Sequence, residues 1–139
     1  MIFCLDTNTC IYFLNGKYPG LLRKMLSYSP NDIKIPSIVK AELLHGAEKS
    51  IKSKENKEKV AAFLLPFEIV PFDDAAAILY SKFKAKLEQA GMPIGPNDLI
   101  IAATAAAINA SLVTNNQQEF SRIDGLLLAN WIDAEGSSG

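Results

Sequence analysis

At 139 residues, with 49% hydrophobic residues, 21% charged residues and a net charge of −1, the chain can bury one real core and is not a disordered polyelectrolyte. No apolar run approaches the roughly 20 residues of a membrane span. The opening lacks the basic-then-apolar layout of a secretory leader, so a cytoplasmic protein with no membrane association is expected. Two cysteines, Cys4 and Cys10, and the single His45 are too few for a disulfide framework or a zinc cluster.

Taken in chain order, residues 1–5 read as a short buried strand. Thr7 or Asn8 can cap a helix over 9–14, which Asn15 and Gly16 stop. A second helix is expected over 19–28 and a second strand over 33–36. Ser37 is placed to cap a helix that carries Val39, Leu43, Gly46 and Ala47 on one face. A charged helix follows over 54–65, ended by Pro66, and then a third strand at 68–71. Asp73 caps a long helix through Ala90, closed by Gly91. Pro96 or Asn97 starts the helix carrying Asp98. A fourth strand over 111–114 turns at Asn115 and Asn116 into a short helical piece with Glu119 and Phe120. Residues 126–128 suggest a fifth, edge strand.

Strands alternating with helices predict an α/β fold with a parallel sheet and helices on both faces. In such sheets, sites form outside the carboxyl ends of the strands. Asp6 and Thr114 follow predicted strands, and Glu42 and Asp98 lie on helices able to reach the same crevice. Acids are rarely buried without a cation or a metal. Asp6, Glu42, Asp98 and Glu119 each adjoin an apolar segment, so a shared divalent ion is one account of them. Four independent caps and surface charges are the other. Glu42, flanked by Ala41, Leu43 and Leu44, fits the second account least well.

Hard oxygen ligands suit metal-assisted phosphodiester hydrolysis. A metal-free ribonuclease or a serine or cysteine triad would have to rest on His45 alone. There is no glycine-rich phosphate loop. A phosphatase using Asp6 as nucleophile would want a second Asp where Asn8 stands. Lysines gather in 49–59, with Glu48, Glu55 and Glu58 among them, and again at Lys82, Lys84 and Lys86. Either group is an ordinary solvated face or a local contact for nucleic acid.

Several segments together resemble the PIN-domain ribonucleases, and more narrowly the VapC toxins of bacterial toxin–antitoxin pairs. They are Leu5-Asp6-Thr7-Asn8; Glu42 followed by Leu43-Leu44-His45-Gly46-Ala47-Glu48; Ile94-Gly95-Pro96-Asn97-Asp98; and Val113-Thr114-Asn115-Asn116-Gln117-Gln118-Glu119-Phe120. The resemblance implies a three-layer α/β/α sandwich around a central parallel sheet of four to five strands, with one PIN domain over 1–132 and a flexible tail over 133–139. It implies Mg²⁺, with Mn²⁺ as an alternative, held by Asp6, Glu42, Asp98 and Glu119. Many members carry an Asp at the position of Asn116, and Glu119 stands in for it here, directly or through water. Thr114, Asn116 and Asn8 would support the site. Lys49, Lys52, Lys82 and Lys86 would contact RNA phosphates.

The implied reaction is endonucleolytic cleavage of structured RNA, leaving 5′-phosphate and 3′-hydroxyl ends. A tRNA, narrowly the anticodon stem-loop of initiator tRNA, is the implied substrate. The implied partners are a VapB-type antitoxin and a second copy of the chain. Tyr12, Phe13 and Leu14 are candidates for the antitoxin groove, or simply core. A non-catalytic RNA- or protein-binding module on the same fold is the alternative, and Asn116 is its one argument.

Overall fold

The computed structural model describes residues 1–132; the expected flexible tail over 133–139 lies outside the described residues. The elements are β1 (Phe3–Leu5), α1 (Thr7–Leu14), α2 (Pro19–Leu26), β2 (Ile33–Pro36), α3 (Ser37–Glu48), α4 (Ser53–Leu64), β3 (Glu68–Val70), α5 (Asp74–Gln89), α6 (Pro96–Ala107), β4 (Ser111–Val113), α7 (Gln117–Phe120) and β5 (Leu128–Ala129). The five strands form one sheet in the order β3-β2-β1-β4-β5, and every neighbouring pair is parallel. Helices flank it, as the sequence predicts.

The strands are short but buried. Cys4, Leu5, Ile35 and Leu112 have no exposed surface. This is why they read as continuous apolar runs rather than as alternation. At the start of β1, Phe3 packs on Tyr28 and Trp131, with ring centroids 4.6 and 5.1 Å away. That cluster pins the amino end of the sheet to both ends of the described chain.

Several local expectations are corrected. The cap of α1 is Asp6 itself, not Thr7 or Asn8: its side chain accepts from Thr9 N, and the helix begins at Thr7. Ser37 is the first residue of α3, behind Pro36, and makes no capping bond. β5 falls two residues later than expected, because its register is set by pairing Leu128 and Ala129 with Leu112 and Val113. Asp73 does cap α5, accepting from Ala76 N at 3.0 Å.

The chain leaves β1 toward β2 and β3 on one side, then returns to add β4 and β5 on the other. The order therefore reverses between β1 and β4, which opens a crevice at their carboxyl ends. Among the described residues, no helix is long and apolar enough to cross a membrane.

Candidate active site

Asp6 stands in that crevice, one residue past β1, and is only 4% exposed. Its backbone N–H donates to Val113 O at 3.2 Å, tying it to the end of β4. Its Oδ1 accepts from Thr9 N at 2.8 Å. The Thr114 hydroxyl also bonds to it. Thr114 Oγ1 in turn accepts from Asn116 N at 2.9 Å, which leaves the hydroxyl hydrogen for Asp6. Burial pushes the Asp6 carboxyl above its ordinary value, and the bonds from Thr114 and Thr9 pull the other way.

Glu42 reaches the crevice from α3. Its Oε1 accepts from Thr7 Oγ1 at 2.6 Å and its Oε2 from Asn97 Nδ2 at 3.2 Å. The two donors sit on α1 and α6, so this carboxylate joins three helices.

Asp98 lies in the first turn of α6, where the helix dipole favours a negative charge. Its carboxyl is nonetheless raised from 3.8 to about 6. Burial is the main cause. The charge of Glu119, a hydrogen bond shared with Glu119, and the charges of Asp6 and Glu42 add to it. Four carboxylates thus act on one another across the crevice.

Glu119 is held from two sides. Gly95 N donates to Oε1 at 3.4 Å and Asn116 Nδ2 to Oε2 at 3.1 Å. Asn116 therefore does more than replace an acid: its backbone braces Thr114 and its side chain braces Glu119.

The donor set fits a hard divalent cation. It consists of carboxylate oxygens, and the ion pairs of the described residues lie elsewhere, at Lys34–Glu68, Lys57–Glu48 and Lys59–Glu55. Among the described residues, however, no three acidic, histidine or cysteine groups are already drawn together as a metal cage. Asp6, Glu42 and Glu119 accept from neutral donors instead, and Asp98 shares a hydrogen bond with Glu119. Asp6, Asp98 and Glu119 could hold an ion, as could Glu42 on releasing Thr7 or Asn97.

Other expected residues lie further out. Asn8 is exposed on α1 and takes part in none of these bonds. Lys49 and Lys52 are exposed on the turn between α3 and α4, and Lys82 and Lys86 on α5. Phe13 lines an apolar groove of about 380 Å³ with Met25, Leu26, Phe63 and Phe67. Leu14 lines a second groove, of about 300 Å³, that ends at Glu42. Tyr12 packs edge-on against Tyr18. Cys4 and Cys10 are buried, and burial pushes the Cys4 thiol up to about 12, so it is no nucleophile.

Sequence reasoning missed Thr7, Thr9 and Asn97 as site residues. The first two read as helix-starting residues and Asn97 as a turn residue. Their bonds span up to 104 residues of chain, for which one sequence holds no signal.

Comparison with known proteins adds four findings. The PIN domain family matches residues 3–126. A relative named ribonuclease VapC2, from Rickettsia felis, is 46% identical over 94% of this chain and 98% of its own length. A tRNA(fMet)-specific endonuclease VapC from Salmonella typhimurium is 38% identical over 93% of this chain and 97% of its own. Among solved structures, VapBC2 from Rickettsia felis, bound to a DNA fragment from its promoter, superposes with a TM-score of 0.89 at 43% identity. It covers 94% of this chain and 99% of that one.

Proposed function

This chain belongs to the PIN-domain family of VapC ribonucleases, and we propose that it is the toxin of a toxin–antitoxin pair that cuts a structured tRNA with the help of Mg²⁺. The observation that carries this reading is the mutual influence of Asp6, Glu42, Asp98 and Glu119 at the sheet's switch point. No cation is paired to any of them among the described residues.

When bound, a divalent ion supplies the Lewis acidity that polarises a phosphodiester and acidifies a water. In this reading Asp6, Asp98 and Glu119 hold it. Asp6 is fixed by Thr9 and Thr114, so its carboxylate costs little to orient on binding. Asp98 shares a hydrogen bond with Glu119, and its carboxyl, raised to about 6, keeps its proton in mildly acidic solution and gives it up toward neutrality. Glu42, clamped by Thr7 and Asn97, supplies a fixed negative charge at the crevice's edge and serves as the outer acid of the set. The products would carry 5′-phosphate and 3′-hydroxyl ends.

Initiator tRNA is the narrow form of the proposal. It rests on the relative from Salmonella typhimurium that carries that substrate in its name. A VapB-type antitoxin is the proposed protein partner, since the Rickettsia felis neighbour was solved as VapBC2. The groove ending at Glu42 is the surface it would use, and a homodimer is the proposed assembly.

The test is incubation of purified, antitoxin-free protein with total bacterial tRNA in Mg²⁺, in Mn²⁺ and in chelator, beside Asp6→Asn. The new 5′-phosphorylated ends are then sequenced. A discrete metal-dependent cut that the variant loses is the expected result. No cut in any RNA class, from folded protein, would move the assignment to a non-catalytic binding module.

A further inference from the structure

Four carboxylates facing a polyanion repel it, so an RNA substrate has to be gripped by cations nearby. Two stretches offer them, and they are not equivalent. The lysines of 49–59 alternate with Glu48, Glu55 and Glu58. Lys57 is already paired with Glu48 and Lys59 with Glu55. Part of the charge there is compensated before RNA arrives.

The second stretch differs. Lys82 and Lys86 lie one turn apart on the exposed face of α5. They line a cleft of about 480 Å³ together with Arg122, just beyond α7, and with the apolar side chains of Phe83, Leu87 and Ile123. Among the described residues no carboxylate is within ion-pair distance of these three cations. Asp124 is the one acid in the lining.

Arg122 is also aimed. Its Nη1 donates to Pro93 O at 3.1 Å, which leaves most of its five N–H groups for another acceptor. Its backbone N–H donates to Glu119 O at 3.1 Å. Pro93 stands two residues before Gly95, whose N–H reaches the Glu119 carboxylate. Cleft and acids therefore share one rigid frame, with Arg122 about one helical turn from Glu119. A planar guanidinium and two ammonium groups lining one cleft are a donor set suited to a phosphodiester.

We infer that the cleft between α5 and the segment after α7, rimmed by Lys82, Lys86 and Arg122, is a phosphate subsite that takes the RNA backbone beside the bond to be cut. The inference rests on the ribonuclease reading above. It selects the α5 side of the molecule, rather than the lysines of 49–59, as the path of the substrate strand.

The test is steady-state cleavage of the tRNA that the wild-type protein cuts. It compares the Lys82→Gln/Lys86→Gln double variant, Arg122→Gln, and a charge-matched Lys17→Gln/Lys24→Gln control at the α1–α2 connection and on α2. The double variant touches no bond of the acid site, so it stays informative even if Arg122→Gln disturbs Glu119. The double variant is expected to raise KM about tenfold, with the effect falling on KM rather than kcat. The salt slope of tRNA binding, log K against log salt, should become shallower by about 1 to 2, at roughly 0.7–0.9 per lost phosphate contact. The control should match wild type in both readouts, and the double variant should melt as wild type does.

A double variant with wild-type KM and salt slope would overturn the inference while leaving the ribonuclease reading intact. So would an unchanged KM together with weakened antitoxin affinity or altered oligomer size, which would assign the cleft to a protein partner. A wild-type protein that cuts no RNA of any class would overturn the ribonuclease reading, and this inference with it.

Discussion

Replacing Asp98 with Asn should stabilise the metal-free protein while it removes a ligand. In the folded chain the Asp98 carboxyl sits at about 6, against 3.8 for the free group. Each tenfold change in proton affinity is worth ~1.4 kcal/mol, so the ceiling on the penalty is ~3 kcal/mol. Asp98 is half-exposed and screened by water, which discounts this to about 1 to 1.5 kcal/mol.

The sign follows from linkage. Below pH 3.8 the carboxyl is protonated in both folded and unfolded chains, so the penalty is absent. It grows as pH rises from 3.8 through about 6 and is complete above. Asn keeps a donor for Glu119 and carries no charge.

Urea denaturation in chelator at pH 7.5 should therefore place the Asp98→Asn midpoint about 0.7 to 1 M above wild type, for a slope of ~1.5 kcal/mol/M. At pH 4 most of that gain should be gone. A variant no more stable than wild type at pH 7.5, or equally favoured at both pH values, would refute the repulsion on which the site's reading depends.

Other outcomes follow from the same geometry. Thr7→Val should free Glu42, lower kcat at least tenfold and cost about 1.5 to 3 kcal/mol in a melt, since its bond is to a charged group; Thr7→Ser should restore both. Asn97→Ala, losing the longer and more exposed bond, should lower kcat with little change in stability. Mg²⁺ should raise the melting temperature more at pH 7.5 than at pH 5, where Asp98 holds a proton that the ion must displace; equal increments at both pH values would argue against that carboxyl as a ligand. Leu112→Ala, at a position with no exposed surface in β4, should cost about 2 to 5 kcal/mol by calorimetry without altering metal affinity per folded molecule.

The fold was legible because its strands are buried on both sides. Such strands appear as unbroken apolar runs between turn residues, as at Leu112 and Val113, and their alternation with helices dictates a parallel sheet. Two of the candidate acids were legible for a related reason. Asp6 interrupts an apolar run, and Glu42 sits among Ala41, Leu43 and Leu44, where an unpaired charge is costly. What stayed hidden is what only tertiary contact decides. β5 takes its register from β4 rather than from its own residues. Thr7 and Asn97 look like ordinary helix-start residues until Glu42 is placed between them, and Asn116 reads as a lost acid until its amide is seen on Glu119. Arg122 carried no motif at all; its meaning comes from Pro93 and from the lysines of a helix some 40 residues earlier.

The central claim is that Asp6 and Asp98 belong to one divalent-ion site. It is tested most directly by titrating Mn²⁺ into wild type, Asp6→Asn and Asp98→Asn and following free Mn²⁺ by electron paramagnetic resonance, with Mg²⁺ as competitor. The expected result is saturable binding by wild type, displaced by Mg²⁺ and lost in both variants while their folds persist. Undiminished Mn²⁺ affinity in either folded variant would contradict the claim.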